Sequence, residues 1–383
     1  MKVLLLYASA GAGHKRAAEA LSVAFRMSGA ETTAQDILDF TPAIFRKTYA
    51  EGYLQVVRSA PELWGYMYAH SDHKVQKPWE KKLRAGFNKL NTLPFLRSYE
   101  SLDPDIVVCT HFMPLEILTT RQDRKPGRAP VFCVVTDFAV HSLWVCSNVA
   151  CYYVATDEAR RQLLRRSQPA DRIEVMGIPV DPVFGRSETQ RDARRRLGLD
   201  AGLPAVLVIS GGFGVGPTAD LLLSFQDSRS DCQIIVVAGR NETMKGEAEA
   251  AARKLPMPVK VYGFVNNVHE LMDAADVIVS KPGGLTSSEV LAKGKPLVIV
   301  DPIPGQEQRN CEYLLESGAA VRLFDVEDAS HKIRSLLGDT ARLASMARSA
   351  KRLGRPGAAT DIVANILERT GLGPARAHRG RDC

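Results

Sequence analysis

The sequence predicts an α/β protein of two Rossmann-like domains, each a parallel sheet covered by helices on both faces. Three observations carry that expectation. Short runs of buried-strand character alternate with helical patterns throughout the chain. The opening stretch "KVLLLYASAGAGH" at Lys2 has a counterpart in "AVLVISGGFGVG" at Ala205, each a buried strand ending in a glycine-rich turn that opens a helix. These starts lie about 200 residues apart, and 383 residues is long for one domain but comfortable for two.

Taken in order, the strands expected in the first domain are 2–8, 106–109, 131–136, 151–155 and 173–176, and in the second 205–210, 233–238, 259–262, 277–280 and 297–300. The first domain is expected to occupy 1–184. A polar, arginine-rich linker at 185–200 follows "GIPVDPVF", with a helix already under way at 194–197. The second domain occupies 201–356. Residues 357–371 form a C-terminal helix packing back on the first domain, and 372–383 form a disordered tail. Residues 42–99 fit the rhythm poorly. They are helical in pattern, rich in aromatics and bases, and read as an insertion in the first domain.

Composition narrows the class. With 45% hydrophobic and 24% charged residues the chain is an ordinary globular protein. A net charge of +7 favours anionic partners, whether nucleic acid, nucleotide phosphates or an acidic membrane face. Seven scattered cysteines show no CxxC pair and no zinc spacing, so they read as buried thiols in a reducing compartment. The start is not that of a signal peptide, because its apolar run is short and flows into a helix. No apolar run approaches the roughly 18 residues of a membrane span, and the nearest, 131–155, is interrupted by Asp137, His141 and Asn148.

The glycine loops point to phosphate. A strand followed by glycine and a helix N-terminus makes an anion site, since free backbone N–H groups and the helix dipole point the same way. Neither loop is a Walker loop. The first carries Arg16 where the third glycine of GxGxxG belongs. The second, with Gly211, Gly212, Gly214 and Gly216, formally fits GxGxxA, but its next strand lacks the acidic residue that would hold a dinucleotide ribose. A third segment, 276–310, ends a strand at "SKPGG" and starts a helix capped near Thr286 or Ser287. Glu289 falls in the first or second turn, and a proline-rich loop with Gln306 and Glu307 follows the next strand. Alone, such a glutamate is a dipole partner. Together, these loops gather polar groups at one carboxyl edge, where open α/β sheets bind ligands.

Histidines mark the first domain's edge. His14 stands at the first turn of the opening helix, as a base, a turn cap or a phosphate contact. Asp137 and His141 follow a strand in "VVTDFAVHSLW", and His111 follows one in "CTHFMP". Asp103-Pro104-Asp105 matches a DxD metal motif but precedes a strand, so it reads as a turn.

These residues carry a resemblance. "GAGHKRAA", "TDFAVHSLW", "SGGFGVGP", "YGFVNNVHELMDAADVIVSKPGG" and "GQEQRN", in that order across roughly 1–320, resemble the monogalactosyldiacylglycerol synthase and processive diacylglycerol glucosyltransferase family. These are GT-B glycosyltransferases, more distantly similar to MurG. The resemblance implies two Rossmann-like domains facing a central cleft, with a UDP-sugar bound by the C-terminal domain and an acceptor by the N-terminal one. The donor set it implies is Gly13, then Gly211, Gly212 and Gly214 with Gly283, Gly284, Leu285 and Thr286 around the diphosphate. Gly263, Phe264 and Val265 meet uracil, Glu289 the ribose, and Gln306 with Glu307 the sugar. His14 stands where an acceptor hydroxyl loses its proton in an inverting transfer, with Asp137 as its orienting partner or the rival base. His111, His141 and Trp144 line the acceptor site. No metal and no cofactor beyond the donor substrate are expected, because backbone N–H groups and a helix dipole can stabilise a leaving diphosphate.

A lipid acceptor requires access to a bilayer. Residues 74–97 hold seven Lys/Arg and one Glu, interleaved with Trp79, Phe87 and Phe95. That pattern suits an anionic membrane face, although a solvated helix with core aromatics, or a nucleic-acid patch, fits its composition too. The expectation is a cytoplasmic enzyme bound peripherally to the inner face of the membrane, with no nucleic acid partner. Alternatives are transfer to another lipid or hydrophobic acceptor, a UDP-GlcNAc 2-epimerase of the same architecture, and a nucleotide-sugar sensor.

Overall fold

The computed structural model describes residues 1–9, 11–42, 46, 60–73, 93–123, 127, 129–211 and 216–372. Two six-stranded sheets, parallel at every pairing, form its framework. The first holds β1 (Lys2–Tyr7), β2 (Glu31–Asp36), β3 (Ile106–Cys109), β4 (Val131–Val134), β5 (Cys151–Val154) and β6 (Ile173–Val175), in the order β2-β1-β3-β4-β5-β6. The second holds β7 (Ala205–Ile209), β8 (Gln233–Val237), β9 (Val259–Tyr262), β10 (Val277–Ser280), β11 (Leu297–Ile299) and β12 (Ala320–Arg322), in the order β12-β11-β10-β7-β8-β9.

Both sheets reverse their winding at the first strand. β1 lies between β2 and β3, and β7 between β8 and β10. Such a reversal leaves a crevice at the strands' carboxyl ends, where consecutive loops part in opposite directions. The crevices open beside the helix Ala12–Met27 in the first sheet and the helix Gly284–Ala292 in the second. Two strands are absent from the sequence expectation, β2 and β12, and each forms the outer edge of its sheet. An edge strand pairs on one side only, and "ETTAQD" of β2 has only its last residue buried.

The C-terminal helix Ala358–Thr370 lies on the first sheet's side of the molecule. Ala359, Ile362, Val363 and Ile366 recur at helical spacing and share one buried cluster with Leu5, Leu21, Phe25 and Val108. Tyr153 donates its hydroxyl to Asn365 Oδ1 at 2.8 Å, and Arg369 meets Glu174 at 2.5 Å. The chain therefore crosses between sheets twice, near 185 and near 356, and the crossings touch. A Cβ on Gly177, whose φ is +92°, would stand 2.7 Å from Arg355 Cβ, and one on Gly185 would stand 3.5 Å from Pro356 Cβ.

Of the expected insertion, the described parts are a helix at Pro61–His73 and a helical stretch at 93–102. Phe95 is a correction. It is fully buried, with Tyr99 one turn later, and meets Phe40 edge-on at 5.7 Å, so it belongs to the core and not to a surface patch. Trp79, Phe87, most of the basic run and the tail from 373 lie outside the described residues. Among the described residues no helix is long and apolar enough to cross a membrane.

Ile362→Ala is expected to destabilise the fold by about 2–5 kcal/mol, because it opens a cavity between the last helix and the first sheet. Urea denaturation followed by circular dichroism checks it.

Candidate active site between the two sheets

A cleft of about 600 Å³ separates the two sheets. From the first side it is lined by Ser9, Gly11, Lys15 and Arg16, and from the second by Gly211, Arg240, Phe264, Val265, Thr286 and Glu289. Gly211 turns the chain after β7 with φ +73°, a conformation that favours glycine. Gly212 and Gly214 lie outside the described residues. Arg240 sits over the Phe264 ring at 4.6 Å, and Phe264 is 54% exposed, a flat platform on the cleft wall. Gly263 precedes it, and a Cβ there would lie 3.6 Å from the Gly239 carbonyl.

The helix Gly284–Ala292 begins earlier than the sequence suggests. Its cap is Gly283, not Thr286 or Ser287, and no side chain caps it. The first N–H groups of a helix have no partner within the helix, so here they are available to an anion. Thr286 becomes a first-turn residue lining the cleft. Gly284 has a further reason to be glycine, since a Cβ there would lie 2.0 Å from the Thr136 carbonyl oxygen of the opposite domain. Gly13 faces Leu285 across the same junction, at 3.7 Å from its Cβ.

Glu289 is buried on that helix, and Arg16 reaches across to its Oε1 at 2.5 Å. Burial pushes the Glu289 carboxyl up to about 7, against the pull of Arg16. Glu307 is likewise pushed up to about 7 by burial, although its Oε2 accepts the Ile303 amide at 3.0 Å. Gln306 opens the same helix, Gln306–Glu316. A Cβ on Gly283 would lie 3.8 Å from Glu307 Oε1, so the loops after β10 and β11 adjoin.

His14 is anchored on the opposite side. Its Nδ1 lies 2.7 Å from the Thr110 carbonyl oxygen and 2.9 Å from the Thr136 hydroxyl. A carbonyl only accepts, so Nδ1 carries the proton and Nε2 keeps its lone pair. Burial lowers the His14 pKa, with the Asp137 charge and the Thr110 carbonyl opposing. Burial in turn raises that of Asp137, opposed by the Asn310 hydrogen bond and by His14.

His111 and Trp144 stand beside this base, and His141 caps the turn that carries Trp144. His111 is 2% exposed, meets His14 edge-on at 4.6 Å, and accepts the Met113 amide at the start of the helix Phe112–Gln122. His141 is also buried and caps the turn Ser142–Trp144 by accepting the Leu143 amide at 3.1 Å. Trp144 is buried with its ring 6.2 Å from that of His14. His111 and Trp144 therefore pack around His14, while His141 packs on the Tyr68 ring at 4.4 Å.

Several contributors escaped the sequence expectation. Asn310 donates to Asp137 Oδ1 and to the Pro282 carbonyl, each at 3.1 Å, and accepts the Phe138 amide at 3.0 Å. It therefore ties both domains to the acid beside His14. Thr110, Thr136 and Arg16 act across similar distances in sequence. Asn310 stands within "GQEQRN", which offered a signal, whereas the threonines offered none.

Facing parallel sheets, a phosphate-ready helix start and a neutral histidine opposite define a nucleotide-sugar enzyme of the two-domain kind. Solved structures share this fold. MurG of Acinetobacter baumannii superposes with a TM-score of 0.64 at 15% identity, covering 96% of this chain and 99% of that one. UDP-GlcNAc 2-epimerase of Neisseria meningitidis superposes at 0.58 and 13%, covering 96% and 100%. Sequence separates these possibilities. Residues 14–180 match the monogalactosyldiacylglycerol (MGDG) synthase family model, and 200–353 match glycosyl transferases group 1. The processive diacylglycerol beta-glucosyltransferase of Bacillus cereus (strain AH187) is 31% identical over 97% of this chain and 95% of its own length. That of Bacillus thuringiensis (strain Al Hakam) is 30% identical over the same shares. The chain belongs to this family and is a glycosyltransferase.

Gly284→Ala is expected to lower kcat/KM at least about tenfold and to destabilise by about 1–3 kcal/mol, because its methyl group meets the Thr136 carbonyl and forces the domains apart. Steady-state kinetics and thermal denaturation check it.

Proposed function

We propose that this glycosyltransferase moves a hexose from a UDP-sugar to the hydroxyl of a diacylglycerol-type lipid, with inversion, at the inner face of the cell membrane. The observation that carries the reading is the tautomer of His14, which leaves Nε2 free to act as a base beside the cleft. The acceptor hydroxyl gives its proton to Nε2 as its oxygen attacks the anomeric carbon. The bond from that carbon to the diphosphate breaks on the opposite face, and UDP leaves with the bonding electrons. The uncapped start of the helix Gly284–Ala292 and the Gly211 turn bear the growing negative charge. Asp137 steadies the imidazolium formed in the step.

Glu289 receives the ribose hydroxyls, Gln306 and Glu307 the hexose, and Phe264 with Val265 the uracil. The donor is a substrate, and the reaction uses no further cofactor. Family membership supports the lipid acceptor, since the Bacillus relatives are named for diacylglycerol. The helix Pro61–His73 supports the membrane location. It exposes Leu63, Tyr66 and Met67 on one face, at 55, 69 and 52%.

The test is UDP release without added metal, from UDP-glucose, UDP-galactose, UDP-GlcNAc or UDP-glucuronate. Each is offered with and without diacylglycerol in anionic vesicles, and products are read by mass spectrometry. Glycolipid formed only with vesicles is expected. UDP-GlcNAc consumed without lipid would overturn the reading.

His14→Ala should lower kcat by about 10²–10⁴-fold while donor affinity is retained. The base works only when neutral, and burial holds its pKa below the ordinary 6.5. At saturating donor, kcat is therefore expected to hold through pH 6.5 and to fall only below it, as a pH–rate profile would show.

A further inference from the structure

Asp72 joins three elements that no local sequence pattern connects. It sits near the end of the helix Pro61–His73, with its side chain 4% exposed. Oδ1 accepts the Ser142 amide at 2.7 Å and Arg166 Nη2 at 2.7 Å, and Oδ2 accepts Arg309 Nη2 at 2.9 Å. Ser142 follows His141 on the loop that also carries Trp144. Arg166 ends the helix Asp157–Arg165 and donates to the Val140 carbonyl of that loop at 3.1 Å. Arg309 comes from the other domain, one turn after Gln306 and Glu307.

The surrounding contacts follow the same lines. His141 Nε2 lies 3.1 Å from the Tyr68 carbonyl, and Ser142 Oγ donates to the Ser71 carbonyl at 3.0 Å. The loop before Arg309 nests on the helix through glycines. A Cβ on Gly65 would lie 2.7 Å from Pro304 Cβ, and one on Gly305 would lie 2.9 Å from the Tyr68 ring. Arg309 also stands over that ring at 5.4 Å. Burial opposes the Asp72 charge, but the Ser142 amide, Arg309, His141 and Arg166 outweigh it and hold the carboxyl below its usual range.

We propose that Asp72, through Arg309, is a positioning residue that couples engagement of the lipid acceptor to the grip on the donor sugar. The helix turns an exposed apolar face outward at Leu63, Tyr66 and Met67, and its inner face is bolted to the acceptor loop and the sugar loop together. A shift of the helix on a lipid surface therefore moves the start of the helix Gln306–Glu316. Coupling of this kind is reciprocal, so lipid tightens donor binding and donor tightens lipid binding. The proposal rests on the lipid-transferase reading above.

The test measures binding of a non-transferable 2-fluoro UDP-hexose by calorimetry, with and without diacylglycerol-containing anionic vesicles. Vesicles are expected to tighten binding about five- to fiftyfold in the unmodified protein. Arg309→Met keeps the aliphatic stem but loses the charge. It should bring that ratio to near one, with vesicle-free affinity within about threefold, in a protein that melts at a lower temperature but is folded at the assay temperature by circular dichroism. Arg309→Lys should restore part of the ratio, which a merely structural role would not require. Asp72→Asn should behave like Arg309→Met. A full vesicle effect in a folded Arg309→Met protein, or no vesicle effect in an unmodified protein that forms glycolipid, would overturn the coupling alone. Absence of glycolipid from the unmodified protein with every donor would overturn the functional reading instead.

Discussion

The architecture turns on one close approach, the Thr136 carbonyl standing where a side chain on residue 284 would be. Any residue larger than glycine would hold the two carboxyl edges apart. Because Gly284 admits the carbonyl, the uncapped helix start comes next to the loop that carries Asp137. Asn310 can then reach Asp137 and the Phe138 amide, and Arg16 can reach Glu289. These polar contacts need angstrom-scale placement. The glycine contact is steric and supplies it.

Burial sets the charge of the groups around the cleft. Glu289 and Glu307 are both pushed up to about 7, while His14 is held low. Lys15, Arg16 and Arg240 line the cleft beside Glu289, so an acid that resists ionisation there leaves the cleft with a cationic bias. The Thr110 carbonyl matters as much as any charged group, since it selects which imidazole nitrogen keeps the proton.

Interior strands were legible because burial on both faces leaves a continuous apolar run, as in "AVLVI" of β7. The outer strands β2 and β12 were not, because an edge tolerates polar residues. The glycine loops announced the cleft, and Glu289 was readable from its place beside them. Its partner Arg16 was not, since the pair spans 273 positions. His111 and His141 both follow strands, which is what marked them in the sequence. Each also accepts the amide two residues ahead, and a histidine directly before a short helix is itself a readable sign of that capping. Phe95 misled for a related reason: a composition count does not say which face of a helix a residue occupies.

The double crossing of the chain constrains how the two halves can move. A single tether would leave them free to swivel about a point. Here the passages near 185 and 356 lie against one another, Gly177 beneath Arg355 and Gly185 beside Pro356. Two adjacent pins define a line, and motion about a line is opening and shutting without rotation in other directions. The last helix also completes the first half's core, so the first half is not a folding unit made from one uninterrupted stretch. A gene fragment cut at the linker would encode a first half missing one of its walls.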